Sequence, residues 1–584
     1  MKKFAAGALS LLMLLSTAGC SGGNASTDAD ANVSTNVPDG QSSGQSSASL
    51  SQDMQGEITV SIFNPMPGKA FLEEAAGKFQ TLYPNTKINV ETFAAMPEVK
   101  TAESADGGKM VSMVSDASDA LKPDYVTQIN TQLMSGQGAD IFDIGALPYY
   151  RYAMSGQLED LTPFMDTDDS FRLSDYRQNI LEAVQIDGKQ YFLPLDYNFD
   201  VVAYAPELFT EDQLNTLRSK DKMTIEEMMA LAESNFDSSA DARIFSLRGG
   251  AGPRSTMFGA LLSEHYTEFL DIPQKKAAFN TGDFANLLTT VKDYEEKGYI
   301  PTDDIQRAAA DAQQALSLMQ NESGSVYFKN VSNALLMNYF TKYYSKDKSN
   351  VVRNNIAMNG VSLNDTDELL GVAANDKGEV PYTATQAYAM NANSANKDLA
   401  WAFLKFLLSE ETQTSTAMSM GGVPVNISAS QNKAKLQAAG VSSGMAVPGG
   451  APRMNPSDAE RPAGEDGQAP DRPVLSEGGQ APDRPVLSED GQSSDRPVDA
   501  RPNMEQGPQP NAADVTLTED QQQIYDVYME ALEKYTLMIN TFPITDDAIT
   551  SVVTSEAQNF FDGSKSADEV ASLIQNKVEL YINE

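Results

Sequence analysis

The stretch that decides the fold is residues 57–93, which read EITVSIFNPMPGKAFLEEAAGKFQTLYPNTKINVETF. Residues 57–63 alternate apolar and polar side chains and are rich in β-branched residues, which predicts a strand. A Pro- and Gly-containing break follows, and apolar residues at helical spacing then run to Leu82. Residues 87–93 are the next predicted strand. Strand, helix and strand in so short a stretch form a βαβ unit, which predicts a parallel sheet.

The same alternation continues along the chain. Predicted strands lie at 139–144, 244–247, 325–328 and 383–390, with further alternation through 190–204, and predicted helices lie at 125–135, 224–235, 254–269, 283–297 and 396–408. Residues 97–122 contain few large apolar side chains and are predicted to be a solvated insertion. Apolar residues at helical spacing in 518–539, 546–560 and 566–582 predict a helical C-terminal cap.

The N-terminus has the pattern of an export signal, with Lys2 and Lys3, an apolar run to Leu15, small residues and then Cys20. The apolar run is shorter than the ~20 residues that a membrane-spanning helix needs. Small residues ending on a cysteine resemble a bacterial lipobox, and a plain cysteine in a cleaved leader is the alternative. The resemblance implies a signal peptide at 1–19, a diacylglyceryl anchor on Cys20, and a disordered tether at 20–55.

Composition excludes several classes of protein. The 584 residues contain 42 Lys and Arg against 81 Asp and Glu, and a net charge of −39 repels nucleic acid and anionic lipid. With one cysteine and one histidine, His265, the chain holds no internal disulfide, no cysteine nucleophile, no second histidine for a zinc site and no recognisable His-based triad. No cofactor or metal is predicted. An enzyme that uses a carboxylate pair, such as an exported glycosidase, remains open.

Residues 440–515 depart from the α/β pattern. The segment 467–477 recurs almost unchanged at 479–489, and Asp471, Asp483 and Asp495 each precede Arg-Pro at a spacing of 12 residues. Each unit offers only Val and Leu to bury and carries two prolines. This composition favours a disordered surface loop over a repeat solenoid.

Four stretches carry a family resemblance. They are residues 75–85 (AAGKFQTLYPN), residues 132–141 with 155–161 (QLMSGQGADI and SGQLEDL), residues 188–191 with Pro194 and Tyr204, and residues 400–409 (AWAFLKFLLS) followed by 423–426 (VPVN). In this order the chain resembles the extracellular solute-binding proteins of bacterial ABC importers, and most of all the family 1 proteins that take up sugars and oligosaccharides. The match covers roughly residues 57–435 and 516–584.

The resemblance implies an α/β fold of the two-lobed periplasmic-binding-protein type (type II), with parallel-sheet lobes joined by hinge strands and extra C-terminal helices. The implied divisions are lobe I at 57–197, lobe II at 198–384, a return through the hinge at 385–435, and a C-terminal cap of lobe II at 516–584. The chain is expected to cross between the lobes near Tyr197–Asp200 and near Thr383–Ala387. Residues 440–515 have no counterpart in the family pattern.

The expected solute site lies beyond the C-terminal ends of the strands, as in other open α/β sheets. A sugar site needs aromatic faces together with carboxylates and amides. The candidate ligand-binding residues are Asn64, Asp143, Tyr149, Tyr150, Asp196, Tyr197, Asn198, Arg248, Gly250, Asn333 and Gln386. Packing is the alternative for the two tyrosines 149 and 150, helix capping for the two aspartates, and a plain loop for 249–252. Trp401 is expected in the core, and Asp166, Asp168, Asp169 and Asp175 in a solvated acidic loop rather than a calcium site.

The expected function is capture of a small solute, a sugar or oligosaccharide, for an ABC importer. The expected partners are this solute, the permease subunits and, through Cys20, the extracellular face of the cell membrane, with the protein as a monomer that is not an enzyme. A binding protein for peptides or cationic solutes, a sensory lipoprotein and a glycosidase that uses Asp143 with Asp196 stay open as alternatives.

Overall fold

The computed structural model describes residues 54–65, 68–95, 98–103, 109–114, 121–237, 242–246, 252–300, 325–345, 363, 366–414, 422–441, 511–544 and 546–583. All of them belong to one unit, Ser51–Glu584. The predicted signal peptide, nearly all of the tether and most of the 440–515 segment lie outside the described residues, as do Cys20, Arg248 and Gly250.

The strands are β1 (Gln55–Ile62), β2 (Asn85–Thr92), β3 (Glu98–Glu103), β4 (Lys109–Val114), β5 (Ile141–Asp143), β6 (Phe192–Pro194), β7 (Asp196–Tyr197), β8 (Asp200–Tyr204), β9 (Lys222–Met223), β10 (Ala242–Ser246), β11 (Leu270–Asp271), β12 (Lys276–Ala277), β13 (Ser325–Ser332), β14 (Glu368–Ala373), β15 (Ala387–Met390) and β16 (Val423–Pro424). Most of the predicted strands agree with these within a few residues. Within 97–122, β3 and β4 pair as an antiparallel hairpin, which the sequence pattern did not predict.

The helices are α1 (Gly68–Leu82), α2 (Lys122–Met134), α3 (Tyr149–Met154), α4 (Thr162–Thr167), α5 (Gln178–Glu182), α6 (Glu211–Arg218), α7 (Ile225–Glu233), α8 (Pro253–Glu264), α9 (Tyr266–Phe269), α10 (Gly282–Glu296), α11 (Leu336–Tyr344), α12 (Lys397–Leu407), α13 (Glu410–Gln413), α14 (Ile427–Ala438), α15 (Glu519–Thr536), α16 (Asp547–Phe561) and α17 (Ala567–Asn583). Trp401 of α12 is 6% exposed, as expected for a core residue. None of the described helices combines the length and the apolar character needed to cross a bilayer.

The first sheet has the strand order β2-β1-β5-β15-β6. Strands β1, β2 and β5 pair in parallel, and β15 runs antiparallel to both of its neighbours, β5 and β6. Its core-facing residues come from alternate positions of the buried strands, such as Ile58, Val60 and Ile62 of β1, each at most 1% exposed. This sheet, with α1, α2 and α12, is called lobe I below.

The second sheet has the order β10-β13-β8-β14-β9. Strands β10 and β13 pair in parallel, as do β14 and β9, whereas β8 is antiparallel to both β13 and β14. This sheet, with α7, α8 and α10, is called lobe II. Each lobe therefore has four strands in one direction and one reversed strand, and the reversed strand is the one that enters from the other lobe.

The C-terminal helices contact both lobes. Helices α16 and α17 pack against α10 of lobe II, and the ring of Phe561 in α16 meets that of Phe258 in α8 at 5.7 Å. On the other side, the guanidinium of Arg151 in α3 lies over the ring of Tyr581, 4.0 Å from its centroid, and donates to the Tyr581 carbonyl oxygen at 2.9 Å. The cap is thus bound to lobe I as well as to lobe II.

Candidate functional site

Three segments meet where the chain passes between the lobes, and residues 195–199, 383–386 and 422–424 are called the crossing region below. The backbones of Asn198 and Thr383 exchange two hydrogen bonds, at 2.7 and 2.9 Å. The Leu195 amide donates to the Gln386 carbonyl at 2.9 Å. Strand β16 pairs antiparallel with β7 beside them. The lobes are therefore joined by paired strands rather than by a single loose linker.

The C-terminal ends of the parallel strands in both lobes face this region. In lobe I, Asp143 at the end of β5 pairs with Tyr388 near the start of β15, and the Ile144 amide donates to the Ala387 carbonyl. In lobe II, Ser332 at the end of β13 pairs with Asp200 at the start of β8. Since strand C-terminal ends are where α/β sheets bind ligands, both lobes present their binding edge to the same place.

Asp143 is half-buried, and its Oδ1 accepts a hydrogen bond from the Gly145 amide at 2.9 Å. Burial raises the pKa of this carboxyl to about 6; the Gly145 amide opposes the shift, and the nearby charge of Asp196 adds to it. Keeping the Asp143 carboxylate ionised at this position therefore costs free energy. Such a cost is typical of a functional group and is also found in some structural networks.

Asp196 is completely buried, and both of its oxygens are bound within the protein. Oδ1 accepts from the backbone amides of Thr385 at 2.7 Å and Gln386 at 3.2 Å, and Oδ2 accepts from the Gly422 amide at 2.6 Å. Burial raises its pKa, while these three amides and the charge of Lys433 lower it. One side chain thus ties the three segments of the crossing region together.

Gly422 allows this close approach. A Cβ atom at position 422 would lie 2.3 Å from the Tyr197 carbonyl oxygen and 2.6 Å from the Asn198 side-chain nitrogen. Only a residue without a side chain fits between these groups. The requirement for glycine shows how tightly the third segment is packed on the first.

Polar side chains on the surface of the crossing region remain accessible. Asn198 is half-buried and donates from its Nδ2 to the Thr385 hydroxyl at 3.0 Å, and Thr385 is exposed. Asp200 is also exposed, yet desolvation raises its pKa, as expected for a group with protein close on several sides. At the corresponding edge of lobe I, Asn64 is half-buried at the end of β1.

Phe93 is the aromatic residue at this edge that sequence reasoning missed. It follows the end of β2, is half-buried, and stacks on Phe63 with ring centroids 6.2 Å apart. Its amide donates to the carbonyl of Ile62, the last residue of β1, which places it beside Asn64. The signal available in the sequence was an aromatic residue at the C-terminal end of the predicted strand 87–93.

Tyr149 and Tyr150 lie inside the protein, 5% and 2% exposed. The ring of Tyr149 packs edge-on against Phe192 at 4.9 Å. The hydroxyl of Tyr150 donates to Asp546, the N-cap residue of α16, and accepts from Arg151 Nε at 3.3 Å. Both residues hold α3 against its neighbours, the packing alternative raised from the sequence.

The remaining candidates are buried in the hinge. Tyr197 is fully buried and its hydroxyl is 2.9 Å from that of Thr536 in α15. Asn333 is 3% exposed and its Oδ1 accepts from the Phe199 amide at 3.3 Å. Gln386 is 2% exposed and its Oε1 accepts from the Tyr388 hydroxyl at 3.2 Å. These side chains support the crossing region from within.

Lys433 of α14 lies near Asp196. Burial lowers the pKa of Lys433 to about 8, although the attraction of the Asp196 carboxylate opposes this shift.

Among the four acidic residues weighed as calcium ligands, Asp168 Oδ2 instead accepts from Lys405 Nζ at 2.5 Å and from the Trp401 indole at 2.9 Å. Asp175 pairs with Arg172 at 2.8 Å.

The sequence profile of a family described as bacterial extracellular solute-binding protein matches residues 117–441, more than half of the chain. The chain belongs to this family. The matched range begins before β5 and ends after α14. The whole crossing region of this solute-binding protein therefore lies inside the matched range. No curated protein matches it by sequence.

Three solved structures align with most of this chain at low sequence identity. One is an ABC substrate-binding protein from Listeria monocytogenes in complex with cycloalternan, with 14% identity and a TM-score of 0.44 over 91% of this chain and 100% of that chain. Another is the cyclic alpha-maltosyl-1,6-maltose binding protein from Arthrobacter globiformis, with 13% identity and a TM-score of 0.47 over 91% of this chain and 99% of that chain. A third is the maltose/maltodextrin-binding domain from Bdellovibrio bacteriovorus bound to maltotriose, with 12% identity and a TM-score of 0.43 over 91% and 100%.

Proposed function

We propose that this protein captures a sugar or oligosaccharide in a cleft between the lobes and delivers it to an ABC importer. The observation that carries the proposal is that the binding edges of both sheets meet at one crossing region. Paired crossing strands of this kind permit hinged closure of one lobe on the other. Solute held between the two edges would stabilise the closed form by contacting both lobes.

The side chains at these edges suit a neutral, hydroxyl-rich solute. Asp143 and Asp200 supply acceptors, and Asn64 and Asn198 supply amides that both donate and accept. The half-buried ring of Phe93 offers an apolar face for the CH side of a sugar ring. These five residues, rather than the buried tyrosines 149 and 150, are the solute contacts that the geometry favours.

A cationic solute or short peptide is the second candidate, and the two carboxylates Asp143 and Asp200 at the binding edges favour it. The glycosidase alternative is disfavoured. It needs two carboxyl groups that are free to reach the substrate, whereas Asp196 is fully buried with both oxygens accepting backbone hydrogen bonds.

The test is a thermal-shift screen of the chain from residue 20, with Cys20→Ser, against mono- and oligosaccharides, amino acids, peptides and polyamines. A solute at about one hundred times its Kd stabilises the folded state by about 2.7 kcal/mol, which gives a clear rise in Tm. We expect a rise with one class of sugar. A rise with polyamines or peptides alone would contradict the carbohydrate assignment, and hydrolysis of a glycan would contradict the binding role itself.

The lipid anchor at Cys20 is part of the proposal and has a separate test. Two acyl chains hold a soluble domain at a bilayer, and the loss of both releases it. We expect the native chain to fractionate with membranes in an expressing bacterium and the Cys20→Ser chain to appear in the soluble extracellular or periplasmic fraction. Equal partition of the two chains would contradict acylation at this residue.

A further inference from the structure

We propose that Glu226, Glu264 and His265 form a binding site for a divalent transition-metal ion, with Zn²⁺ as the best fit. The three residues lie in lobe II, at the first turn of α7 and the end of α8. One ligand atom from each lies within 4.8 Å of the other two. The proposal does not depend on which solute the protein captures.

The first observation is an unsatisfied carboxylate oxygen. Glu264 Oε1 accepts from the Ile225 amide at 3.2 Å, but its Oε2 is inaccessible to solvent and has no hydrogen-bond partner. Leaving a buried acceptor without a donor is costly, and native proteins rarely do so without a reason. A metal ion at the centre of the cluster would supply the missing partner.

The second observation is the orientation of the histidine. His265 Nε2 faces Glu226 Oε1 at 3.0 Å, while Nδ1 is 3.2 Å from Glu268 Oε2. A metal-bound histidine usually donates its other ring N–H to a carboxylate, which fixes the tautomer and the ring plane. Glu268 is already placed for that function if Nε2 binds the ion.

The third observation is the excess of negative charge around one imidazole. Besides the three proposed ligands and Glu268, the carboxylate of Asp376 lies close enough to interact electrostatically with Glu264. A nearby positive charge is Lys377, whose Nζ lies 4.0 Å from Glu268. A divalent cation at the centre of the cluster would offset this negative charge.

The donor set limits the choice of ion. One imidazole nitrogen and two carboxylates, without a cysteine, match Zn²⁺ and its first-row neighbours better than Ca²⁺, which prefers six to eight oxygen ligands. The side chain of Glu226 is 44% exposed, so the ion can enter from solvent and keep water on its open side. Bound there, it would join the start of α7 to the end of α8.

Because His265 is the only histidine in the chain, its imidazole gives a single, unambiguous pair of ¹⁵N signals. The test is a long-range ¹H–¹⁵N spectrum of the ¹⁵N-histidine-labelled chain before and after one equivalent of ZnCl₂, in an excess of MgCl₂ that occupies non-specific acidic sites. We expect Nε2 to move to a metal-bound shift and Nδ1 to remain protonated. Unchanged imidazole signals would overturn the proposal.

Calorimetric titration with ZnCl₂ tests the ligand set. We expect Glu264→Gln and His265→Gln each to weaken the tight site at least tenfold, and Glu268→Gln to weaken it about 10- to 100-fold by removing the partner of Nδ1. The matched control is Glu530→Gln, which removes one exposed carboxylate of α15 and should bind like wild type. Equal Zn²⁺ binding by all four variants would overturn the proposal, since the protein's 81 acidic residues would then explain it. Thermal unfolding in EDTA verifies that each variant is folded.

Discussion

Asp196→Ala is expected to reduce the free energy of unfolding by about 3–5 kcal/mol, because it leaves three backbone amides of the crossing region without an acceptor. These are the backbone N–H groups of Thr385, Gln386 and Gly422, one or two from each segment that meets β7. Asp196→Asn should fall between wild type and alanine, since one oxygen remains for Thr385 and Gln386 while the new amide group faces the Gly422 N–H. Equilibrium unfolding in urea measures both variants.

The matched control is Asp169→Ala, at an exposed aspartate of the acidic loop after α4, which should change stability by less than about 0.5 kcal/mol. If Asp196 were mainly a solute contact, Asp196→Ala would weaken solute binding and leave the urea midpoint near that of wild type. That outcome would contradict the role in the crossing region.

Asp143→Asn is expected to have opposite effects on stability and on binding. The folded-state pKa of Asp143 is raised from 3.8 to about 6, so its favourable contribution is complete below pH 3.8 and is lost as the pH rises through 6. At pH 8 the neutral amide should therefore be more stable than the carboxylate, by about 1–2 kcal/mol after allowance for partial solvation. At pH 4 the two proteins should unfold alike.

The same change should weaken capture of the solute found by the screen about 10- to 100-fold, because an amide replaces a charge-assisted acceptor. Calorimetric titration at pH 8 measures this effect. Gain of stability with loss of affinity is the signature of a residue retained for function. Unchanged affinity would place Asp143 outside the solute site, and a less stable variant at pH 8 would show that its carboxylate supports the fold.

Much of the architecture could be predicted from local patterns. The alternation in 57–63, the helical spacing up to Leu82 and the same signals further along the chain predicted most of the major strands and helices to within a few residues. Hydrophobic periodicity indicates which face of a helix or strand is buried, and this signal comes from residues that are close together in the chain. The hairpin of β3 and β4 was missed because that segment contains few large apolar residues to reveal the period.

The candidate site was harder to predict, because the position of a residue at the end of a strand does not determine where its side chain points. Asn64, Asp143 and Asn198 were selected from the sequence and lie half-buried at the edges that meet, but Tyr149 and Tyr150 turn into the protein. Phe93, Asp200 and Thr385 lie at the same edges and were passed over. Burial and orientation depend on what packs against each loop, and single-sequence patterns do not contain that information.

By itself the sequence determined the class of fold, the family, the acidic surface and the absence of cysteine- or multi-histidine-based chemistry, since all of these follow from residue types and their spacing along the chain. Only the tertiary structure decided that Asp196 ties three distant segments together, and that His265 meets Glu226, 39 positions away. The physical reason is that hydrogen bonding and desolvation act over a few ångströms in space. Contacts at that range between remote residues exist only once the strands have paired and the helices have packed.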